Sequence, residues 1–212
     1  MMVPIDYLRD PEAIYARSFA LIRAEADMSK LPAAAHGVAE RVIHACGMPE
    51  IAAELRISDD FVLRAKGALS GAKAIITDAE MVKSGILVSK LKPDVRLLCV
   101  LNDPAAREIG LARETTRSAA AVELWCPHLA GALVVIGNAP TALFALLELL
   151  DDGVPPPAAV IALPVGFVGA AESKEELIRN PRGMAYLTLP GRRGGSAMAA
   201  AAVNALLIEM QL

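Results

Sequence analysis

The feature that most constrains this chain is a set of five short apolar runs, each followed by a glycine, a proline or a polar turn. They are Ala74–Thr77, Val95–Leu101, Ala132–Gly137, Ala158–Leu163 and Ala185–Leu189. The runs are almost continuously apolar rather than alternating, the pattern of strands covered on both faces in a parallel sheet. Between them lie stretches with helical spacing, about Ala79–Ser84, Pro104–Ala112, Thr116–Trp125, Pro140–Asp152, Ser173–Asn180 and Ser196–Met210. Parallel strands need such crossovers, because a tight turn cannot return the chain in the same direction. The alternation predicts an α/β, doubly wound, three-layer sandwich with a mainly parallel five-stranded sheet.

The first third reads differently, as helices without a strand. Asp10-Pro11 is an N-cap followed by a proline in the first turn, where no amide hydrogen is missed. The helix it opens runs through Arg23 and places Tyr15, Ser18, Phe19 and Ile22 on one face at i, i+3, i+4, i+7 spacing. A second helix covers about Ala33–Cys46 and stops at Gly47; a third starts near Ser58-Asp59-Asp60. A length of 212 residues suits one domain over residues 1–212, and Pro155-Pro156-Pro157 reads as a rigid connector into a strand.

Composition narrows the function classes. Hydrophobic residues make up 55% of the chain, enough burial to offset chain entropy and exclude disorder. Only 4% is aromatic, so the core must be Ala, Val, Leu and Ile, with helices in close approach. Twenty-one basic and 24 acidic residues give a net charge of -3 and no basic patch for a nucleic acid. The uncharged run Leu124–Leu147 is long enough to span a bilayer, but Pro127, Gly131, Gly137 and Pro140 break it. With no basic region followed by an apolar one at the start, a cytoplasmic protein without a membrane anchor is expected. Cys46, Cys99 and Cys126 are too scattered for a disulfide framework, and no pair has zinc spacing, so no metal site is expected.

Ligands of open α/β sheets bind at the carboxyl ends of the strands. Several loops there combine glycine with a helix start, namely Gly137-Asn138-Ala139-Pro140-Thr141, Pro164–Lys174 and Gly191–Ser196. Free amides and the positive helix end favour an anion, while simple turn chemistry explains any one loop alone. No GxGxxG follows a strand and there is no GxxxxGK[ST], so a ligand rich in carboxylates fits better than a nucleotide. His44 falls in the last turn before Gly47, where the negative helix end favours an imidazolium able to donate a proton; a surface or capping histidine has the same spacing. Arg117 and Lys174 near helix starts oppose the local dipole, as cations do when they hold a ligand carboxylate; an outward-pointing side chain is the alternative. Asp78 suits acid–base work or helix capping, and Ser18 is a hydroxyl on a half-apolar face.

Read together, these segments resemble the precorrin-8X methylmutase family. The resemblance is carried by Tyr7–Pro11 with Ile14–Phe19, Ile22–Asp27, Ile43–Gly47, Asp78–Val82, Thr116–Ala120, Ile136–Phe144, Pro164–Lys174, and Gly191-Arg192 with Gly194–Met198. It implies a flavodoxin-like fold and a homodimer with sites near the subunit interface. It also implies a tetrapyrrole substrate and product with acetate and propionate arms, and a reaction that moves a methyl group from ring carbon-11 to carbon-12. No cofactor is implied. His44 matches the family's catalytic histidine, and Ser18 and Arg117 match positions associated with substrate contact; Tyr15, Asp78 and Lys174 join them as substrate-binding candidates from their sequence context. A concerted sigmatropic shift needs no external nucleophile, and a proton or hydrogen bond from His44 at a pyrrole-derived nitrogen would ease it. The alternatives are a non-catalytic tetrapyrrole carrier, the same isomerisation on cobalt-precorrin-8, and an unrelated α/β enzyme acting on a phosphorylated metabolite.

Overall fold

A computed structural model of the protein describes residues 5–71 and 73–211. Two helices lead. In α1 (Pro11–Glu25) the Asp10 carboxylate accepts the Ala13 amide, satisfying one donor that the helix itself leaves free. A 3₁₀ turn over Ala33–Ala35 precedes α2 (His36–Cys46), so the expected second helix begins three residues later as an α-helix. Gly47 ends α2 with φ of 68°, a left-handed conformation in which its amide caps the Ile43 carbonyl.

The first third holds one strand that the apolar pattern does not reveal. β1 (Arg56–Ile57) is only two residues long and is followed by α3 (Phe61–Ser70). Five further strands fall inside the expected runs: β2 (Ala74–Thr77), then α4 (Glu80–Gly85); β3 (Arg96–Leu98), shorter than Val95–Leu101; and, after α5 (Pro104–Ala112), α6 (Arg117–Glu123) and α7 (Cys126–Leu129), β4 (Leu133–Ile136). The expected Thr116–Trp125 helix is α6, which stops at Glu123, and α7 is a separate helical turn beyond it. Next come α8 (Pro140–Asp151), β5 (Ala159–Ala162), α9 (Ala170–Arg179), β6 (Ala185–Thr188) and α10 (Ser196–Glu209). The start of α9 at Ala170 rather than Ser173 puts Lys174 in its second turn.

The sheet has six strands in the order β1-β6-β5-β4-β2-β3, parallel except that β1 runs antiparallel to β6. Counting the parallel strands alone gives 2-1-3-4-5, the flavodoxin-like order, with its switch point between β2 and β4. Along β4, Leu133 and Val135 enter one apolar cluster while Val134 and Ile136 enter the other; Ala159 and Ile161 against Val160 and Ala162 repeat this in β5. Both faces are dry, which is why the sequence runs are continuous. α2, α3 and α10 cover the first face, and α6, α7 and α8 the second.

The shortage of aromatic residues is met by close approach. A Cβ on Gly137 would lie 2.9 Å from both the Ala199 Cβ and the Ser196 Cα of α10, so only glycine lets β4's end meet that helix. Among the described residues no helix is long and apolar enough to cross a membrane.

Candidate active site

The switch point is where this fold ordinarily opens a crevice for an anion. Here Asp78, just after β2, fills it. Its carboxylate accepts the amides of Gly137 at 2.9 Å, Asn138 at 3.0 Å and Ala139 at 2.7 Å, the turn that leads into α8. Asp78 is 2% exposed. Burial pushes its pKa up, against the pull of these amides on the ionised form. The amides that would cradle a ligand anion are therefore taken by the chain's own carboxylate, and Asp78 faces backbone rather than solvent.

Next to this turn, Thr116 caps α6 by accepting the Ala119 amide and donates from Oγ1 to Thr141 at the start of α8. This contact ties the two helix starts together and presents Arg117, the first residue of α6, to solvent. Arg117 lines an open cavity of about 540 Å³ with Asn102, Asp103, Arg107 and Leu111.

His44 stands apart, in the last turn of α2. Its ring is exposed and its Nδ1 lies 3.0 Å from the Ser18 hydroxyl of α1. Phe19 stacks on the ring with centroids 5.1 Å apart, and Tyr15 is 6.5 Å away. The sequence-predicted trio Tyr15, Ser18 and His44 therefore comes together at one α1–α2 junction. Sequence reasoning missed Arg41, one helical turn before His44, whose guanidinium donates to the Tyr15 hydroxyl and lies 5.3 Å from the Phe19 ring centre. Its i, i+3 spacing to His44 was the available signal. Arg23 clamps Glu40 with two bonds of 2.8 Å across the same junction. A recess of about 310 Å³ opens beside Tyr15, Phe19 and Arg41.

With Nδ1 on Ser18, the outward-facing nitrogen of His44 is Nε2. If Nδ1 accepts the hydroxyl proton, Nε2 carries the ring's hydrogen; if the ring is an imidazolium, Nδ1 donates to Ser18 and Nε2 still donates outward. Both of these states offer a bound molecule a hydrogen-bond donor at a fixed place, whereas the neutral tautomer with its hydrogen on Nδ1 donates to Ser18 and offers an acceptor there.

Lys174 is not with these residues. Its side chain is fully buried, and Nζ donates to the carbonyls of Pro164 at 3.1 Å and Arg193 at 2.8 Å. Burial, helped by the Arg193 charge, lowers its pKa to about 8. Of the other histidines, His36 lies 3.4 Å from the Leu31 carbonyl and His128 lies 3.3 Å from Arg96, each in a local contact. Among the described residues, no three His, Cys, Asp or Glu side chains converge as metal ligands.

Comparisons with known proteins agree along the chain. The family model described as precorrin-8X methylmutase matches residues 13–209. The precorrin-8X methylmutase of Pseudomonas aeruginosa is 52% identical over 207 residues, 98% of this chain and 100% of that protein. The cobalt-precorrin-8 methylmutase of Methanothermobacter thermautotrophicus is 40% identical over 183 residues, 85% of this chain and 84% of the other. The solved precorrin-8X methyl mutase of Thermus thermophilus superposes with a TM-score of 0.82 at 34% identity, covering 93% of this chain and 95% of its own.

Proposed function

The chain belongs to the precorrin-8X methylmutase family, and we propose that His44 is the group through which it accelerates the methyl shift. The protein is an isomerase of cobalamin biosynthesis: it moves a methyl group from carbon-11 to carbon-12 of precorrin-8X, giving hydrogenobyrinic acid. The shift conserves atoms and charge. What an enzyme can add is electron withdrawal at the ring nitrogen beside the migrating group, and restraint of the macrocycle in a reactive pucker.

The observation that carries the assignment is the contact between Ser18 and His44, with Phe19 stacked behind. Ser18 fixes the ring's rotation, Phe19 fixes its plane, and Nε2 is left to donate to the substrate. Tyr15 and Arg117 bind its carboxylate arms, and Asp78 and Lys174 act on the site only through the backbone they hold. A non-catalytic carrier would need the cavities but not this oriented donor. The test is His44→Ala, with turnover and product affinity measured separately. Turnover should fall by about 10²–10⁴-fold, the usual range for a positioned acid, with affinity nearly unchanged. Turnover within a small factor of wild type would remove the acid role.

Two finer assignments follow. The substrate is the cobalt-free macrocycle, in line with 52% identity to a precorrin-8X methylmutase against 40% to a cobalt-precorrin-8 methylmutase. Side-by-side turnover of the two substrates tests it. The working unit is a cytoplasmic homodimer of single-domain chains, with no nucleic-acid partner. In its favour, Tyr15 and Arg117 line different openings of one chain, and Tyr7, Leu8, Ile14 and Leu21 leave apolar surface exposed around α1. Sedimentation of the purified protein tests the dimer.

A further inference from the structure

Beyond the His44 cluster lies a second feature of the same region. Met48, which follows the Gly47 cap of α2, forms one wall of a recess of about 220 Å³. The rest of the wall comes from Val165, Gly166 and Phe167 of the loop after β5, and from Arg192, Arg193 and Gly194 of the loop after β6. The walls are almost entirely apolar. Phe167 is 82% exposed, a large ring held in solvent with no core to fill. The guanidinium of Arg192 sits over that ring, 5.3 Å from its centre.

The two neighbouring arginines differ. Arg193 is committed, with Glu54 and Glu50 on its guanidinium, at 3.5 Å for Glu50. Arg192 has no carboxylate partner among the described residues. The recess is also rigid. Lys174 bonds one carbonyl from each loop, the Gly166 amide donates to the Arg192 carbonyl at 3.2 Å, and the Gly195 amide donates to the Leu163 carbonyl at 2.8 Å. A Cβ at Gly194 would meet the Pro164 carbonyl oxygen at 2.7 Å, so the loops lie as close as backbone allows. An apolar recess with one uncommitted planar cation at its rim, braced from beneath, fits a short methylene chain that ends in a carboxylate.

We propose that this recess is a subsite for one carboxylate-bearing arm of the macrocycle, with Met48 and Phe167 against its methylenes and Arg192 on its carboxylate. The proposal rests on the methylmutase reading and adds a binding group to it. Lys174 is a positioning residue here, acting only through the two loops it joins.

The test uses Arg192→Gln and Phe167→Ser in the full chain, with precorrin-8X as substrate and hydrogenobyrinic acid as the binding probe. Both side chains are exposed, and melting curves should match wild type. R192Q should raise KM and the product Kd roughly tenfold, as loss of a charge-assisted contact does, with kcat within about threefold. That penalty should shrink in about 0.5 M salt, where exposed charges are screened. F167S should raise both constants roughly fivefold without the salt dependence. Unchanged KM and Kd for R192Q, or a loss confined to kcat, overturn the proposal whatever F167S does. A wild-type protein that binds the product but does not turn over precorrin-8X would sink the methylmutase reading instead, and the R192Q effect on product Kd would still decide the subsite.

Discussion

At the switch point, the amides of Gly137, Asn138 and Ala139 are already bonded to a buried carboxylate, whereas at the end of α2 the His44 ring is held from behind and open in front. Both places sit at helix termini, and both resemble binding sites in sequence. Asp78 does for the first turn what a bound phosphate does in nucleotide-binding relatives of this fold, so that crevice contributes rigidity. His44 keeps one nitrogen for a guest. In this protein, then, a conspicuous glycine-containing turn marks a finished internal contact, and a lone histidine with little motif around it keeps an exposed nitrogen at the place we propose as reactive.

The contrast can be broken most severely at Asp78. Asp78→Ala should cost about 3–5 kcal/mol of unfolding free energy, because the buried amides of Gly137 and Ala139 and the part-buried one of Asn138 lose their acceptor together. Millimolar phosphate or sulfate should restore part of the loss by entering the vacated turn, while leaving wild type unchanged. Denaturant melts with and without the anion check this. If the anion does nothing for the variant, the turn is not a filled anion site.

Lys174 offers a middle-sized test with a definite sign. Its folded pKa is about 8, against an ordinary value of 10.5. Between those values the unfolded chain holds a proton that the folded chain has released, so unfolding takes up a proton and becomes harder as pH rises. The lysine's own contribution to stability should therefore increase from pH 7.5 to 9.5. Comparing the melting-temperature change over that range in wild type and in Lys174→Met isolates it, since the thiols titrating nearby are common to both. An identical pH response in the two proteins would contradict the burial argument.

The smallest effect belongs to the open site. Ser18→Ala removes one hydrogen bond behind an exposed ring, so stability should hardly move, and kcat should drop several-fold through looser orientation of His44. A loss as large as that of His44→Ala would make Ser18 a participant in proton transfer rather than a support.

Much of this was legible in the sequence. Four of the five parallel strands were visible because their faces are buried, which writes itself as unbroken apolar runs, and the edge strand β3, which opens on the exposed Arg96, was drawn too long. β1 was invisible: two residues, one of them Arg56, carry no period, and the strand exists because Ser58 and Tyr186 exchange bonds beside β6. The helix of Pro140 was bounded well by its proline, whereas α9 began earlier than its charges suggested because Gly169, with φ of 78°, turns the chain directly into Ala170. At the site, His44 and Ser18 could be placed by helix spacing and family likeness. The inward turn of Lys174 could not, since a lysine near a helix start looks the same whether its amine meets carbonyls or solvent. Arg41 was lost for a related reason: cation–ring contacts between two helices leave no mark in either helix alone.

The ends of the sheet bear on how copies of this protein can meet. Its outermost strands, β1 and β3, have two and three residues. Edges so brief offer a neighbour too few unpaired backbone groups to extend the ladder from molecule to molecule. Association is thereby steered to side-chain surfaces, which can stop at two partners, and a crowded cell is spared the open-ended stacking that a long bare strand would seed.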